Sequence, residues 1–217
     1  MNIYVLKYEE NEEKLLPFLS EQRKKAVSKI KNPSVRREKI YSYALLCYAL
    51  FRNFGITTPP VFTYGERGKP YLSGNPEICF SISHAGGRAA CACGEVPLGL
   101  DIQDIRPLKA DISAKICTPS ELEGLTKASD RGREICRLWC IKESVGKLSG
   151  MGFAEGFTGI ETGELLKNGR TFLAENDGFF VALTAENKLA DVSVADVSGE
   201  ELFKTLDLSF CPNHDNS

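Results

Sequence analysis

The chain reads as an α+β protein in which each half carries one principal helix and a small antiparallel sheet. Two long segments with apolar residues at helical spacing predict this: 34–54, stopped by Gly55, and 131–149, stopped by Gly150. Each is followed by strand-length runs separated by Gly, Pro and Asn turns. No residue-level repeat joins the halves, so the similarity between them is topological.

In order along the chain, 2–8 reads as a strand, and helical segments follow over 12–19 and 21–30, with Ser20 as the N-cap between them. Pro33 precedes the principal helix of the first half, and Gly55 supplies its C-terminal stop. Short strands are expected over 61–64, 79–83, 88–93 and 98–102. In the second half, Thr118-Pro119-Ser120-Glu121 has the form of a capping box with Pro at the first helical position, which predicts a helix up to Lys127. After the long helix, 157–162, 170–174, 179–185 and 191–197 read as strands, and Ser198-Gly199-Glu200-Glu201 opens a short last helix. The corresponding division is 1–100, 101–210 and a tail over 211–217 that is expected to fray.

Composition narrows the function classes. The 217 residues include no apolar stretch near the roughly 20 needed to span a membrane, and the N-terminus lacks the basic and apolar regions of a signal peptide. A cytoplasmic protein with no membrane partner is expected. The eight Cys residues lie largely in apolar runs such as Ala89-Ala90-Cys91-Ala92-Cys93, as buried free thiols do. With no Cys-x-x-Cys pair and no matching His, a structural zinc site lacks its ligands.

Charge divides unevenly. Residues 1–100 carry 14 Lys and Arg against 9 Asp and Glu, and residues 101–217 carry 13 against 20. Eight bases fall between Arg23 and Lys39 with Glu38 the only acid, which favours a phosphate-rich partner or, alternatively, a solvated helix face. Nucleic acid is not expected, because Tyr41 and Tyr43 nearby sit at helical spacing and read as core rather than as stacking platforms.

The chemistry concentrates on 139–147. At about 100° per residue, Leu138, Ile141, Val145 and Leu148 gather on one side of the helix, and Trp139, Glu143 and Lys147 gather roughly opposite. Glu143 and Lys147 alone could be an i,i+4 salt bridge worth about 0.2–0.5 kcal/mol. Taken with Gly99-Leu100-Asp101 and Ser83-His84, they suggest a metal-dependent phosphate site.

Three ordered motifs need one explanation: Gly68-Lys69-Pro70-Tyr71 with Phe80-Ser81-Ile82-Ser83-His84; Leu98-Gly99-Leu100-Asp101-Ile102-Gln103; and 139–147 followed by Gly150-Met151-Gly152-Phe153. In this order and spacing the chain resembles the 4'-phosphopantetheinyl transferases of the surfactin-synthetase type. The resemblance implies two similar halves packed as a pseudo-dimer, with coenzyme A and Mg²⁺ in the cleft between them. It implies transfer of the phosphopantetheine arm to a serine of an apo acyl or peptidyl carrier protein, with release of adenosine 3',5'-bisphosphate.

On that resemblance Asp101, Gln103 and Glu143 correspond to metal ligands. Carboxylates suit Mg²⁺, which takes hard oxygen donors, and Gln103 departs from the acid that many members carry there. Glu143 is the expected base for the serine hydroxyl. Lys147 would neutralise the pyrophosphate, and His84 beside Ser83 would bind phosphate and stabilise the leaving group. Gly68, Lys69 and Pro70 would meet the adenine and 3'-phosphate, with Lys25 and Lys39 as further 3'-phosphate bases and Gln22 where another base is often found. Lys142 would touch phosphate or be solvated. A monomer is expected, because one chain already holds the cleft. A noncatalytic coenzyme A or nucleotide-binding module and a Mg²⁺-dependent phosphohydrolase are the competing readings, the latter lacking a second Asp and His cluster.

Overall fold

The computed structural model describes residues 1–106, 111–151 and 156–210; Gly152, Phe153 and the expected tail lie outside them. The order is β1 (Asn2–Lys7), a 3-10 helix (Glu12–Phe18), α1 (Glu21–Val27), α2 (Pro33–Phe54), β2 (Phe62–Tyr64), β3 (Pro70–Leu72), β4 (Cys79–Ala85), β5 (Arg88–Gly94) and β6 (Leu98–Asp104). There follow α3 (Ser113–Ile116), α4 (Pro119–Lys127), α5 (Arg131–Ser149), α6 (Thr162–Lys167), β7 (Thr171–Asn176), β8 (Phe179–Ala185), β9 (Ser193–Val197) and α7 (Gly199–Phe210).

Local signals act as the sequence predicts. Ser20 accepts from the Arg23 amide, Thr118 and Glu121 complete the capping box, and Gly55 and Gly150 end α2 and α5 at φ 67° and 73°, a conformation that glycine adopts without a Cβ penalty. The segment over 12–19 is a 3-10 helix containing Pro17, not an α-helix. A Pro inside a helix removes an amide donor and disfavours α-helical continuation.

One sheet has the order β4-β5-β1-β9, a second has the order β6-β8-β7, and β2 pairs with β3. Strand alternation stacks four layers. Tyr4, Leu6, Ala89 and Cys91 face α2, whereas Ile3, Val5, Ala90 and Ala92 face Leu98, Leu100, Ile102, Val181 and Leu183 of the second sheet. Phe180 and Ala182 turn the other way, onto Cys136, Cys140 and Ile141 of α5. Each sheet is therefore covered by one long helix, and the sheets share a core between them.

The expected division at residue 100 is crossed twice. β6 begins at Leu98 but belongs to the second sheet, and β9 returns from the second half to pair in parallel with β1, so the first sheet is mixed rather than antiparallel. Leu202 and Leu206 of α7 then fill the core beneath α2. The strand expected over 157–162 is a turn leading into α6: Phe157 is buried, and its carbonyl and that of Ile160 accept from Lys142 instead of from a neighbouring strand. Seven described cysteines are free, and most are buried. No described helix is long and apolar enough to cross a membrane.

Candidate active site

The site lies where β4 and β6 run side by side, bridged by a hydrogen bond from the Leu100 amide to Ser81 Oγ (2.9 Å). Alternation along β4 splits the Ser83-His84 pair between two neighbourhoods. Ser83 turns to β6 and α5; His84 turns to α2. Alternation along β6 likewise sends Leu98, Leu100 and Ile102 into the inter-sheet core and leaves Gly99, Asp101 and Gln103 toward α5. Gly99 is where strand and helix touch: a Cβ there would lie 2.1 Å from Ser144 O and 2.3 Å from Leu148 N.

Asp101 is the centre of the first neighbourhood. It is 5 % exposed, and its Oδ1 accepts from Ser83 Oγ (2.7 Å) and Lys147 Nζ (2.7 Å), while Lys147 also donates to Ser83 Oγ (2.7 Å). Oδ2 is buried with no hydrogen-bond partner among the described residues. A buried carboxylate oxygen left unpaired is costly, and such an orphan calls for an explanation. Lys147 reaches Asp101 rather than Glu143, so the simple i,i+4 bridge is not what the helix makes. Glu143 is half-buried, and burial, then the charge of Asp101, pushes its carboxyl above the ordinary range against the opposing pull of Lys147.

The second neighbourhood is basic. Lys39 Nζ lies 3.3 Å from His84 Nε2, and Glu38 Oε2 lies 3.5 Å from His84 Nδ1. Burial and then Lys39 hold the His84 pKa below its usual value; burial, then Arg23, lowers that of Lys39, with Lys147 a further repelling charge. Bases that depress one another in this way favour an anion between them. Arg23 itself donates to the Lys39 carbonyl (2.7 Å) and lies over the Tyr43 ring.

The Gly68-Lys69-Pro70 turn, with Gly68 at φ 82°, joins β2 to β3 and faces the end of α5 across a cavity of about 320 Å³. Its lining includes Lys69, Phe80, Ser81, Lys147, Gly150 and Met151. Lys69 Nζ donates to Leu148 O (2.7 Å), so this lysine ties the turn to the carbonyl end of α5.

The predicted residues thus divide. Asp101, Ser83, Lys147 and, through its interaction with Asp101, Glu143 come together; His84 and Lys39 form the adjoining basic group; Gly68, Lys69 and Pro70 wall the cavity. Gln103 is half-buried, two residues beyond Asp101 on the same strand face. Lys25 is exposed on α1, and Gln22 is spent on both backbone groups of Phe62.

Lys142 is a correction: it is fully buried, and its ammonium meets Glu121 and three backbone carbonyls, leaving none of it for a solvent-borne phosphate. The faces of α5 also differ from the simple projection, since Val145 and Leu148 are only half-buried and Trp139 packs with Phe157 in an apolar cluster. Three of the eight bases in the basic run are taken by acids, as Lys24–Glu21, Arg36–Glu13 and Arg37–Glu12 pairs. Sequence reasoning missed Glu38 as the partner of His84, and only its place one residue before Lys39 hinted at it.

No group of three or more His, Cys, Asp or Glu side chains among the described residues is poised as a metal cage. The donor set nevertheless fits a hard cation that keeps waters and substrate oxygens in its shell: Asp101 offers an unpaired oxygen, and Glu143 is an under-compensated carboxylate beside it.

Comparison with known proteins bears on these residues. A family model described as the 4'-phosphopantetheinyl transferase superfamily matches residues 97–197. A 4'-phosphopantetheinyl transferase of Bacillus subtilis is 27% identical over 147 residues, 66% of this chain and 65% of that protein, so the match spans slightly under two thirds of its length. The 4'-phosphopantetheinyl transferase psf-1 of Bacillus pumilus is 25% identical over 164 residues, 74% of this chain and 70% of its own. The 4'-phosphopantetheinyl transferase Sfp of Bacillus subtilis strain 168 is 26% identical over 153 residues, 69% of this chain and 67% of its own.

Proposed function

We propose that the chain, which matches the 4'-phosphopantetheinyl transferase superfamily over residues 97–197, moves the phosphopantetheine arm of coenzyme A onto a serine of an apo acyl or peptidyl carrier protein. The observation that carries this reading is the pairing at Asp101: one oxygen is held by Ser83 and Lys147, the other is buried with no partner among the described residues, and the Asp101 charge reaches Glu143. That arrangement suits a charged phosphate ester held next to a base.

Asp101 and Glu143 would hold Mg²⁺, with Gln103 as a neutral oxygen donor nearby. The bound ion supplies charge neutralisation at the pyrophosphate. Lys147, already within 2.7 Å of Asp101, places its ammonium at the same point and neutralises the phosphate undergoing attack. Glu143 accepts the proton of the carrier serine, and the burial and Asp101 charge that raise its pKa favour proton uptake at this position.

Lys39 and His84 take the 3'-phosphate side of the nucleotide, with Lys25 on the approach from α1. Gly68, Lys69 and Pro70 take the adenine, in a cavity whose roughly 320 Å³ falls at the small end for ligand sites. The leaving adenosine 3',5'-bisphosphate stays among these bases as the P–O bond breaks. A long helix on a sheet in each half supports a pseudo-twofold relation between the halves, with the cleft inside one chain, and therefore a monomer.

Incubation of candidate apo carriers with coenzyme A and Mg²⁺, read by intact-protein mass spectrometry, tests the reading. A gain of one phosphopantetheine arm, abolished by a chelator, is expected. Release of adenosine 3',5'-bisphosphate without a carrier would replace the transferase with a hydrolase. Coenzyme A binding with no loading of any carrier would reduce the protein to a binding module.

A further inference from the structure

The buried ion pair between Lys142 and Glu121 lies outside the machinery just described, yet it adjoins it by one residue. Lys142 is 0 % exposed, and its Nζ donates to Glu121 Oε2 (2.5 Å), Ile116 O (2.7 Å), Ile160 O (2.8 Å) and Phe157 O (3.0 Å). Glu121 in turn accepts from the Thr118 amide (3.0 Å), the Thr162 hydroxyl (2.8 Å) and the Thr162 amide (3.1 Å). A single ammonium and a single carboxylate thus gather the end of α3, the start of α4, the turn before α6 and the middle of α5.

Replacing a buried pair by apolar side chains is often neutral or stabilising, so stability alone is a weak reason for such a hub. What it supplies is geometry. Lys142 is bonded to Glu143, and the chain that leaves the cavity wall at Met151 comes back to Lys142 at Phe157. We propose that Lys142 is a positioning residue: with Glu121 it fixes the rotation of α5 against the 156–162 turn and so holds Glu143 beside Asp101. The hub itself is independent of the reaction, whereas its catalytic consequence rests on the transferase reading.

The only Trp of the chain reports on this joint, because Trp139 packs edge-on to Phe157 with ring centroids 5.8 Å apart. Phe157 is the residue whose carbonyl Lys142 holds. Glu121→Gln keeps the shape and removes the charge; Thr162→Val removes one hydroxyl from the same carboxylate and is the gentler variant.

In Glu121→Gln the Trp139 emission is expected to shift to the red. kcat for carrier loading should fall about tenfold or more, because misplacing a catalytic group by an ångström is enough for that. KM for coenzyme A should change by less than kcat, because Gly68, Lys69, Pro70, Phe80 and Ser81 of the cavity wall lie on elements other than α5. Thr162→Val should move both readouts the same way by less, and it decides the matter if Glu121→Gln does not fold. A folded variant with wild-type kcat and emission, whatever its thermal transition, would overturn the proposal. If the wild type loads no carrier, the transferase reading fails separately, and unchanged emission in both variants would then refute the hub.

Discussion

Asp101 receives two donors on one oxygen and none from the described residues on the other, and Glu143, which feels the Asp101 charge, is a carboxylate with too little compensation. Glu143 acts in opposite directions on folding and on chemistry. In the metal-free protein the Glu143 pKa is raised, so the folded state binds a proton at this position more tightly than the unfolded chain. The resulting stability is present below the ordinary glutamate range, near pH 4.3, and is lost as pH rises through the folded value. Glu143→Gln removes that liability. In the presence of a chelator its thermal transition should match or exceed the wild type at about pH 8, with the gap closing toward about pH 4. Carrier loading should meanwhile fall by roughly 10²-fold or more, the range for loss of a general base. Undiminished turnover would remove Glu143 from the mechanism, and a large drop in the neutral-pH transition would contradict its electrostatic assignment.

At the scale of elements, the site depends on how closely α5 can approach β6. Gly99 sets that distance, since the atoms a Cβ would strike are backbone on the helix and cannot rotate away. Gly99→Ala must therefore lift α5, carrying Glu143 and Lys147 off Asp101. Overpacking of this kind costs about 1–3 kcal/mol, or a fall of roughly 2–4 °C in Tm per kcal/mol for a chain of this length. Loading should drop more than about tenfold, as expected for a displaced catalytic pair. Gly124→Ala in α4, where a Cβ meets nothing within 4 Å, is the control and should leave both measurements at or above wild type. Equal behaviour of the two variants would refute the claim. The elements themselves were largely legible, because helix ends are written locally: the Ser20 cap, the Thr118 box, Gly55 and Gly150 fall where the sequence puts them. The turn at 157–160 was not legible, since apolar residues there serve Trp139 and Lys142 from 15 or more residues away. Glu121 was half legible: its cap is local, but its partner lies 21 residues on. The motif set named Asp101, Glu143 and Lys147 together, while the pairing of Lys147 with Asp101 instead of Glu143 required the strand and helix to be seen together.

For the whole molecule, the decisive fact is that the chain does not keep its halves apart. Ile3, Val5, Ala90 and Ala92 of the first sheet share one core with Leu98, Leu100, Ile102, Val181 and Leu183 of the second. The chain then returns, so that Val197, Leu202 and Leu206 are buried in the first half's core at 5 %, 0 % and 0 % exposure. Burying such side chains is worth about 1.5–3 kcal/mol each, and three of them approach the 5–15 kcal/mol that typically separates a folded domain from its unfolded state. The first half therefore cannot hold its sheet without residues that follow the last strand of the second, and neither half should unfold alone. Chemical denaturation followed by Trp139 fluorescence, which reports on the α5 side, and by far-ultraviolet circular dichroism, which reports on all elements, should give coincident transitions with one midpoint. Truncation after residue 192 should abolish the transition in both signals, because it removes the parallel partner of β1 as well as α7. A Trp139 transition that survives truncation, or one that separates from the dichroism curve in the full chain, would mean that the second half folds independently. The geometry at Asp101, built from β4 of one sheet against β6 of the other, would then have to be assembled by docking rather than by folding.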